Sequence, residues 1–351
     1  MAAPAVLPAG ASCAGGVDSV HSPDYRPIMV PDATVVVCTR DRPAQLEACL
    51  AALAAQTYPR SEVLVVDNGA TGPVADICRQ RGVACIHEPI PGLTRARNLG
   101  ARAARTELVA YIDDDAIAEP GWLAALATEF ADSRVAAVVG RTRYMKAWGD
   151  RPMSEDEALG EPGPRPRRVF DRGADGWFAL ACFGQIGDGN TMAFRCRLLI
   201  DAVRFDERLG RGRLVESGDE HVAFMSLIAD GYRVIHAPDA VVRHPMPAEP
   251  ERRHAKRIRD LRASVAYTLF LWLQFPGHRG EIAAFLGEAM RKRVLRTRVP
   301  APPATGLTTS QAMAAAWDGI RVYLEARQEW MPPGGATPAA VTATPRVVTL
   351  R

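Results

Sequence analysis

Three consecutive aspartates, Asp113, Asp114 and Asp115, follow directly on the apolar run Leu108 to Ile112. Carboxylates this close repel one another, and at the end of a buried strand the cost is high unless a cation or hydrogen-bond donors offset it. A hard divalent ion such as Mg2+ meets that need, because it prefers carboxylate and water oxygens and is usually shared with substrate phosphates. The alternative for the triplet taken alone is a solvated turn capping the helix that begins near Trp122; its position at a strand end favours the metal. Asp67 ends another apolar run, Val63 to Val66, where a carboxylate could accept hydrogen bonds from a base or ribose, although Asp67-Asn68-Gly69 also reads as a turn. Arg95, Arg97 and Asn98 lie where a helix opens after Pro91-Gly92, and arginine suits bidentate phosphate contact; a solvated surface is the competing reading.

The elements that must position these groups alternate between short β-branched runs and helical stretches, the pattern of βαβ units and a mostly parallel sheet. Thr34 to Cys38 is a β-branched strand, and after Pro43 the residues Leu46, Cys49, Leu50 and Leu53 recur at helical spacing. Further strands are expected at Val63–Val66, Val83–Ile86, Leu108–Ile112, Val135–Val139, Met192–Phe194, Arg233–His236 and Val241–Pro245, with helices over Ala96–Ala104, Trp122–Phe130 and Glu220–Asp230. In open α/β sheets ligands bind beyond the carboxyl ends of the strands. That rule singles out Thr39 to Arg42, Asp67 to Gly69, the aspartate triplet and the residues around His244.

Hydrophobic residues make up 48% of the 351 and charged residues 24%, a balance that fits a folded globular chain rather than a disordered one. A formal charge of +3 is too small to make nucleic acid the default partner. Seven cysteines without a C-x-x-C pair read as reduced thiols in a cytoplasmic protein. Residues 1–31 read as a disordered leader without the charged and apolar regions of a secretory signal, and residues 331–351 as a Pro-rich tail. The apolar stretch Ala263–Phe275 falls short of the ~20 residues that span a bilayer, so no transmembrane helix is expected.

Taken in order, VVVCTRDRP, VLVVDNGA, GLTRARNLGARAA, VAYIDDDAIAEPGWL, GDGNTMAFR, FDERLG, SGDEHVAFMSLIADGYRV and PDAVVRHP resemble the family-2 inverting glycosyltransferases. The resemblance runs from Val35 to Pro245, about three fifths of the chain. It implies the α/β GT-A fold, a mostly parallel sheet flanked by helices, with a nucleotide-binding half over 32–140 and an acceptor half over 141–247. It further implies that Asp67 contacts the nucleoside with help from Thr39 and Arg42, and that Arg97, Asp113 and Asp114 belong to the nucleotide-sugar site. Asp115 would bind Mg2+ or Mn2+, His244 would complete the metal shell, and Gly189 and Asn190 would shape the acceptor side. The general base of the family comes from a Glu-Asp pair at a helix start; here the pair is reversed, Asp219-Glu220, and Glu220 stands at the usual base position with Asp219 left as the other candidate.

The activity so implied is metal-assisted single displacement from a nucleotide-diphospho-sugar, with a UDP-sugar ranked first, to a hydroxyl or amine. A glycan, a lipid-linked intermediate or a small molecule all stand open as acceptor. A nucleotidyltransferase ranks lower, since Thr39 to Pro43 lacks a Gly-rich phosphate loop; a non-catalytic sugar-binding relative is favoured only by the reversed acidic pair. Residues 248–330 form a basic, helical extension. Its arginines could hold an anionic inner membrane surface through 252–298, or they could be the solvated face of helices packing Leu261, Val265, Leu269 and Trp272 on the catalytic core. The Arg-rich stretch Gly149–Gly173 reads as a lid or as an insertion.

Overall fold

The computed structural model describes residues 31–69, 72–145, 166–246, 249–296 and 307–330. The leader, most of the Gly149–Gly173 stretch and the Pro-rich tail lie outside them.

Among the described residues nine strands form one mixed sheet in the order β3-β2-β1-β4-β8-β6-β9-β5, with β7 paired to β9. They are β1 (Ala33–Thr39), β2 (Ser61–Asp67), β3 (Ala84–His87), β4 (Leu108–Asp113), β5 (Ile117–Ala118), β6 (Val135–Met145), β7 (Arg168–Phe170), β8 (Thr191–Arg195) and β9 (Arg233–Pro245). The helices that matter below are α1 (Pro43–Ala54), α2 (Val74–Arg81), α3 (Leu93–Ala103), α4 (Trp122–Thr128), α5 (Trp177–Cys182), α6 (Asp219–Ala229), α7 (Pro250–Gln274), α8 (Arg279–Arg296) and α9 (Thr309–Trp330).

Strand alternation sends side chains to opposite faces of the sheet, and each face has its own core. Val35, Val37, Val65, Ala110 and Ile112 pack with Leu46, Cys49, Leu50 and Leu53 of α1 and with Trp122 of α4. Val36, Val66, Tyr111, Met192 and Phe194 pack on the other face with α3, α5, α6 and the C-terminal helices.

Strand register does the positioning. Thr39 lies opposite Asp67 and Cys38 opposite Asp113, so the tips of β1, β2 and β4 end level. β8 runs antiparallel to β4, with Thr191 opposite Ile112, which brings Gly189 and Asn190 to the same edge. β5 follows Asp115 after one residue and pairs antiparallel with β9, Ile117 opposite Arg243, which carries His244 to the triplet.

β9 is one strand where two were expected. Ala237 to Ala240 bulge out between the pairs Val139 with His236 and Arg141 with Val241. Pro238 lies in this bulge, where it withholds no ladder hydrogen bond. Opposite it, a Cβ on Gly140 would stand 2.4 Å from the Ala240 carbonyl oxygen, so only glycine admits the bulge.

The C-terminal helices share the core of the α3 face. Ala266, Tyr267, Phe270 and Leu271 of α7 are buried there with Ile282, Val322 and Tyr323. This stripe is displaced from Leu261, Val265, Leu269 and Trp272; Leu269 and Trp272 are partly buried at its margin. Aromatic stacking fixes the attachment, Phe183 on Phe285 at 3.9 Å and Phe178 on His278 at 4.0 Å between ring centroids. Gly218, at φ +94°, backs onto the Tyr267 ring, where a Cβ would come within 2.1 Å. Among the described residues no helix is long and apolar enough to cross a membrane.

Candidate active site

Asp113, Asp115 and His244 each offer one ligand atom, all within 4.8 Å of one another. His244 Nε2 stands 3.0 Å from Asp115 Oδ1 and 4.0 Å from Asp113 Oδ2. The other ring nitrogen, Nδ1, lies 2.9 Å from the Pro245 carbonyl oxygen. A carbonyl only accepts, so Nδ1 carries the proton and Nε2 points at two carboxylates. Either a proton on Nε2 or a shared cation resolves that meeting of lone pairs. The donor set therefore fits a hard divalent ion: two carboxylates, and an imidazole oriented by a carbonyl behind it.

Burial works against a charged His244, but Asp115 and Asp113 outweigh it and raise its pKa. Asp115 is held low: its burial is more than offset by His244 and Arg42. Metal and proton thus compete for Nε2. Mn2+ affinity is expected to fall steeply as pH drops below the raised His244 pKa, with a proton released on binding. Titration calorimetry in two buffers of different ionisation enthalpy checks this, and a pH-independent affinity would remove His244 from the shell.

Asp114 turns the other way. It is 5% exposed, accepts from Thr39 Oγ1 at 2.8 Å, and faces Arg42 Nη1 at 3.1 Å. Arg42 Nη1 also reaches Asp115 Oδ2 at 2.9 Å. Burial pushes the Asp114 pKa up to about 6 in spite of these partners. Thr39, Arg42 and Asp114 thus brace the triplet while lining the same cleft. Asp67 caps the turn after β2, accepting from the Gly69 N–H at 2.9 Å with His87 Nδ1 3.9 Å away. Its neighbour Asn68 lines the cleft and clamps the entry to α3, donating to the Glu88 and Ile90 carbonyls and accepting from the Gly92 N–H.

Arg97 is 4% exposed and lies behind the triplet rather than in the cleft wall. It donates to Asp219 Oδ2 and to the Gly189 carbonyl oxygen, each at 2.8 Å, and its Nη2 is 3.6 Å from Asp113 Oδ1. One guanidinium therefore joins the metal-ready cluster to the acidic pair at the start of α6. Arg95 is committed elsewhere, to Glu207 at 2.7 Å. Removing one partner of a buried ion pair leaves the other uncompensated, at about 3–5 kcal/mol. Arg97→Leu is accordingly expected to lose about that much stability in urea unfolding, and a loss under 1 kcal/mol would place Arg97 outside the framework.

Asp219 is 3% exposed; burial would raise its pKa, but Arg97 and a hydrogen bond with Glu220 bring it below the usual value. Glu220 goes the opposite way, pushed up to about 8 by burial and by the Asp219 charge. Two adjacent carboxylates whose proton affinities are driven apart have separate tasks: Asp219 stays ionised on Arg97, and Glu220 can take up a proton. Gly189 makes room for Glu220, because a Cβ there would stand 3.1 Å from the Glu220 carboxyl carbon. Asn190 accepts from Thr142 Oγ1 at 2.8 Å.

The cleft over the triplet encloses about 690 Å3, a volume suited to a bound small molecule. Its wall also includes five basic residues outside the expected nucleotide-sugar contacts: Arg40, Arg211, and Arg252, Lys256 and Arg259 of α7. In sequence the last three carry the membrane-facing or solvated reading of the basic extension. Their spacing, i, i+4 and i+7, places them on one face of a helix, and that signal was present; which way the face turned depended on the burial of Tyr267 and Phe270 further along α7.

The mixed sheet, the acidic cluster at its carboxyl edge and the cleft above them are the architecture of the GT-A fold. Residues 34–196 match the family model described as Glycosyl transferase family 2. Among curated proteins the chain is 27% identical over 243 residues to a pre-mycofactocin glycosyltransferase of Mycobacterium tuberculosis, covering 67% of this chain and 46% of that one. It is 21% identical over 316 residues to an N-acetylglucosaminyltransferase of Neorhizobium galegae, covering 82% and 66%. The chain thus spans about half the length of the mycobacterial relative. Among solved structures, the mannosyltransferase PcManGT from Pyrobaculum calidifontis, in complex with GDP-Man and Mn2+, superposes with a TM-score of 0.55 at 23% identity, covering 88% of this chain and 87% of that one. S. aureus TarS 1–349 in complex with UDP-GlcNAc gives 0.50 at 18%, covering 83% and 81%. At these identities the two structures speak to the fold.

Proposed function

We propose that this protein transfers a sugar, with inversion, from a nucleoside diphosphate sugar to a hydroxyl or amine. The observation that carries the reading is the Arg97 bridge, because it sets the Asp113, Asp115 and His244 cluster beside the Asp219-Glu220 pair. Leaving-group stabilisation and proton removal are the two requirements of a single displacement at an anomeric carbon, and here they are adjacent.

Asp113, Asp115 and His244 would hold Mg2+ or Mn2+, which supplies Lewis-acid compensation for the charge left on the departing diphosphate. Arg42, Thr39 and Asp114 keep the triplet in place, and Asp67 is the nucleoside contact at the tip of β2. The Glu220 carboxylate takes the acceptor proton as the acceptor oxygen attacks C1 and the bond from C1 to the diphosphate oxygen breaks. Asp219 holds its charge on Arg97 and so keeps Glu220 basic. In this reading 32–140 binds the nucleotide and 141–247 the acceptor. A cytoplasmic location belongs to the same reading, in keeping with the six described cysteines, all free.

The test is nucleoside diphosphate release from a panel of UDP-, GDP- and dTDP-sugars with Mn2+ or Mg2+. Release from one donor that stops with EDTA supports the transferase. Binding of no nucleotide across the panel would overturn it.

A further inference from the structure

The cleft carries more positive charge than a sugar nucleotide requires. On the triplet side, a divalent ion is matched by Asp113 and Asp115, and Arg42 is spent on Asp114 and Asp115. Arg211 lines the cleft and is among the charges that act on Asp113, so it stands close enough to serve a diphosphate there. Arg252, Lys256 and Arg259 line the same cleft from a single helix, α7. They form a second cationic wall, carried on a different element from Arg42 and Arg211.

Their own partners hold them weakly. Arg252 faces Glu249 at 3.6 Å, Lys256 faces Asp260 at 2.5 Å and Arg259 faces Asp260 at 4.0 Å, all within a turn of α7 and all solvent-accessible. Solvent-accessible pairs of this kind contribute little, so an incoming anion can displace them. The helix itself is fixed, since Ala266, Tyr267, Phe270 and Leu271 are buried in the core. Three cations one helical face apart on a rigid support, opening into a cleft, suit a phosphate group.

Resting on the transferase reading, we propose that the acceptor is itself a phosphate ester, whose phosphate seats on Arg252, Lys256 and Arg259 while its hydroxyl is presented toward Glu220. The shared chemistry is a phosphate monoester or diester; it can belong to a soluble polyol or sugar phosphate, or to a lipid headgroup.

The experiment titrates the protein, saturated with Mn2+ and whichever of UDP or GDP binds, with glycerol 3-phosphate and, in detergent, with a monoacylglycerol phosphate that keeps a free hydroxyl; glycerol and the monoacylglycerol are the neutral controls. The expected result is binding of at least one phosphate probe and of neither neutral control, and the probe that binds assigns the soluble or the lipid source. In the triple variant Arg252→Ser, Lys256→Ser, Arg259→Ser, probe affinity is expected to fall at least tenfold while nucleotide affinity moves less than threefold. The three side chains lie outside the core, so an unchanged melting temperature serves as the folding control. A variant that loses nucleotide affinity and keeps the probe would overturn the proposal and hand this wall to the donor diphosphate. Failure of both phosphate probes to bind the nucleotide-loaded protein would overturn it as well. Absence of any UDP or GDP binding with Mn2+ would bring down the transferase reading beneath it, and is seen in the first titration, before any phosphate probe is added.

Discussion

Asp115→Ala is expected to abolish Mn2+ binding and to lower transfer by on the order of 10³-fold or more, because metal stabilisation of a leaving diphosphate is worth several kcal/mol and each 1.4 kcal/mol is tenfold in rate. Asp115 is singled out from the triplet by its position: it is the aspartate 3.0 Å from His244 Nε2, and its second oxygen is held by Arg42 at 2.9 Å. Truncation removes a ligand and leaves His244 facing Asp113 alone at 4.0 Å. Asp114→Asn should behave differently, since that carboxylate is used on Thr39 and Arg42, and Mn2+ binding should survive it. Calorimetry of Mn2+ on the two variants checks the contrast. Equal losses in both would mean that the triplet acts as an undifferentiated patch of charge.

Glu220→Gln is the second large effect. Removing a general base costs about 10²–10⁴ in rate, and the substitution leaves the Arg97 to Asp219 pair intact, so nucleotide and Mn2+ binding should be retained. The wild-type kcat/KM should rise with pH through a single ionisation near pH 8, where Glu220 loses its proton. Stability follows the opposite slope. The folded state holds this proton more tightly than the unfolded chain, so its stabilising contribution is complete below the ordinary glutamate pKa and is lost as pH rises toward 8. The melting temperature of wild type should therefore decline more than that of Glu220→Gln over that range. A pH-rate profile flat from 6 to 9, together with an unimpaired Gln variant, would point to Asp219 as the base.

The elements of the fold were legible because their signals are local. The spacing of Leu46, Cys49, Leu50 and Leu53 marks α1, and all four are buried on the sheet. The apolar runs at β1, β2 and β4 mark strands covered on both faces, and the acidic residues that end β2 and β4 lie at the carboxyl edge. The two strands expected at Arg233–His236 and Val241–Pro245 are one, because the chain between them passes through a bulge that leaves no break in the pairing with β6.

What the amino-acid sequence determined by itself is the set of elements and the kind of chemistry at their tips: a strand that ends in three carboxylates, a helix that opens on two more, a cleft at one edge of the sheet. Only tertiary structure decided which of those groups meet. Arg97 could have faced a phosphate; it is buried against Asp219, 122 residues away, and the choice rests on desolvation, since a guanidinium sealed from water must find its counter-charge inside. His244 reaches the triplet only because β5 pairs with β9, and the basic face of α7 turns into the cleft only because Tyr267 and Phe270, farther along the same helix, are buried in the core. Periodicity specifies a face, but the direction in which that face points is set by what the rest of the helix buries.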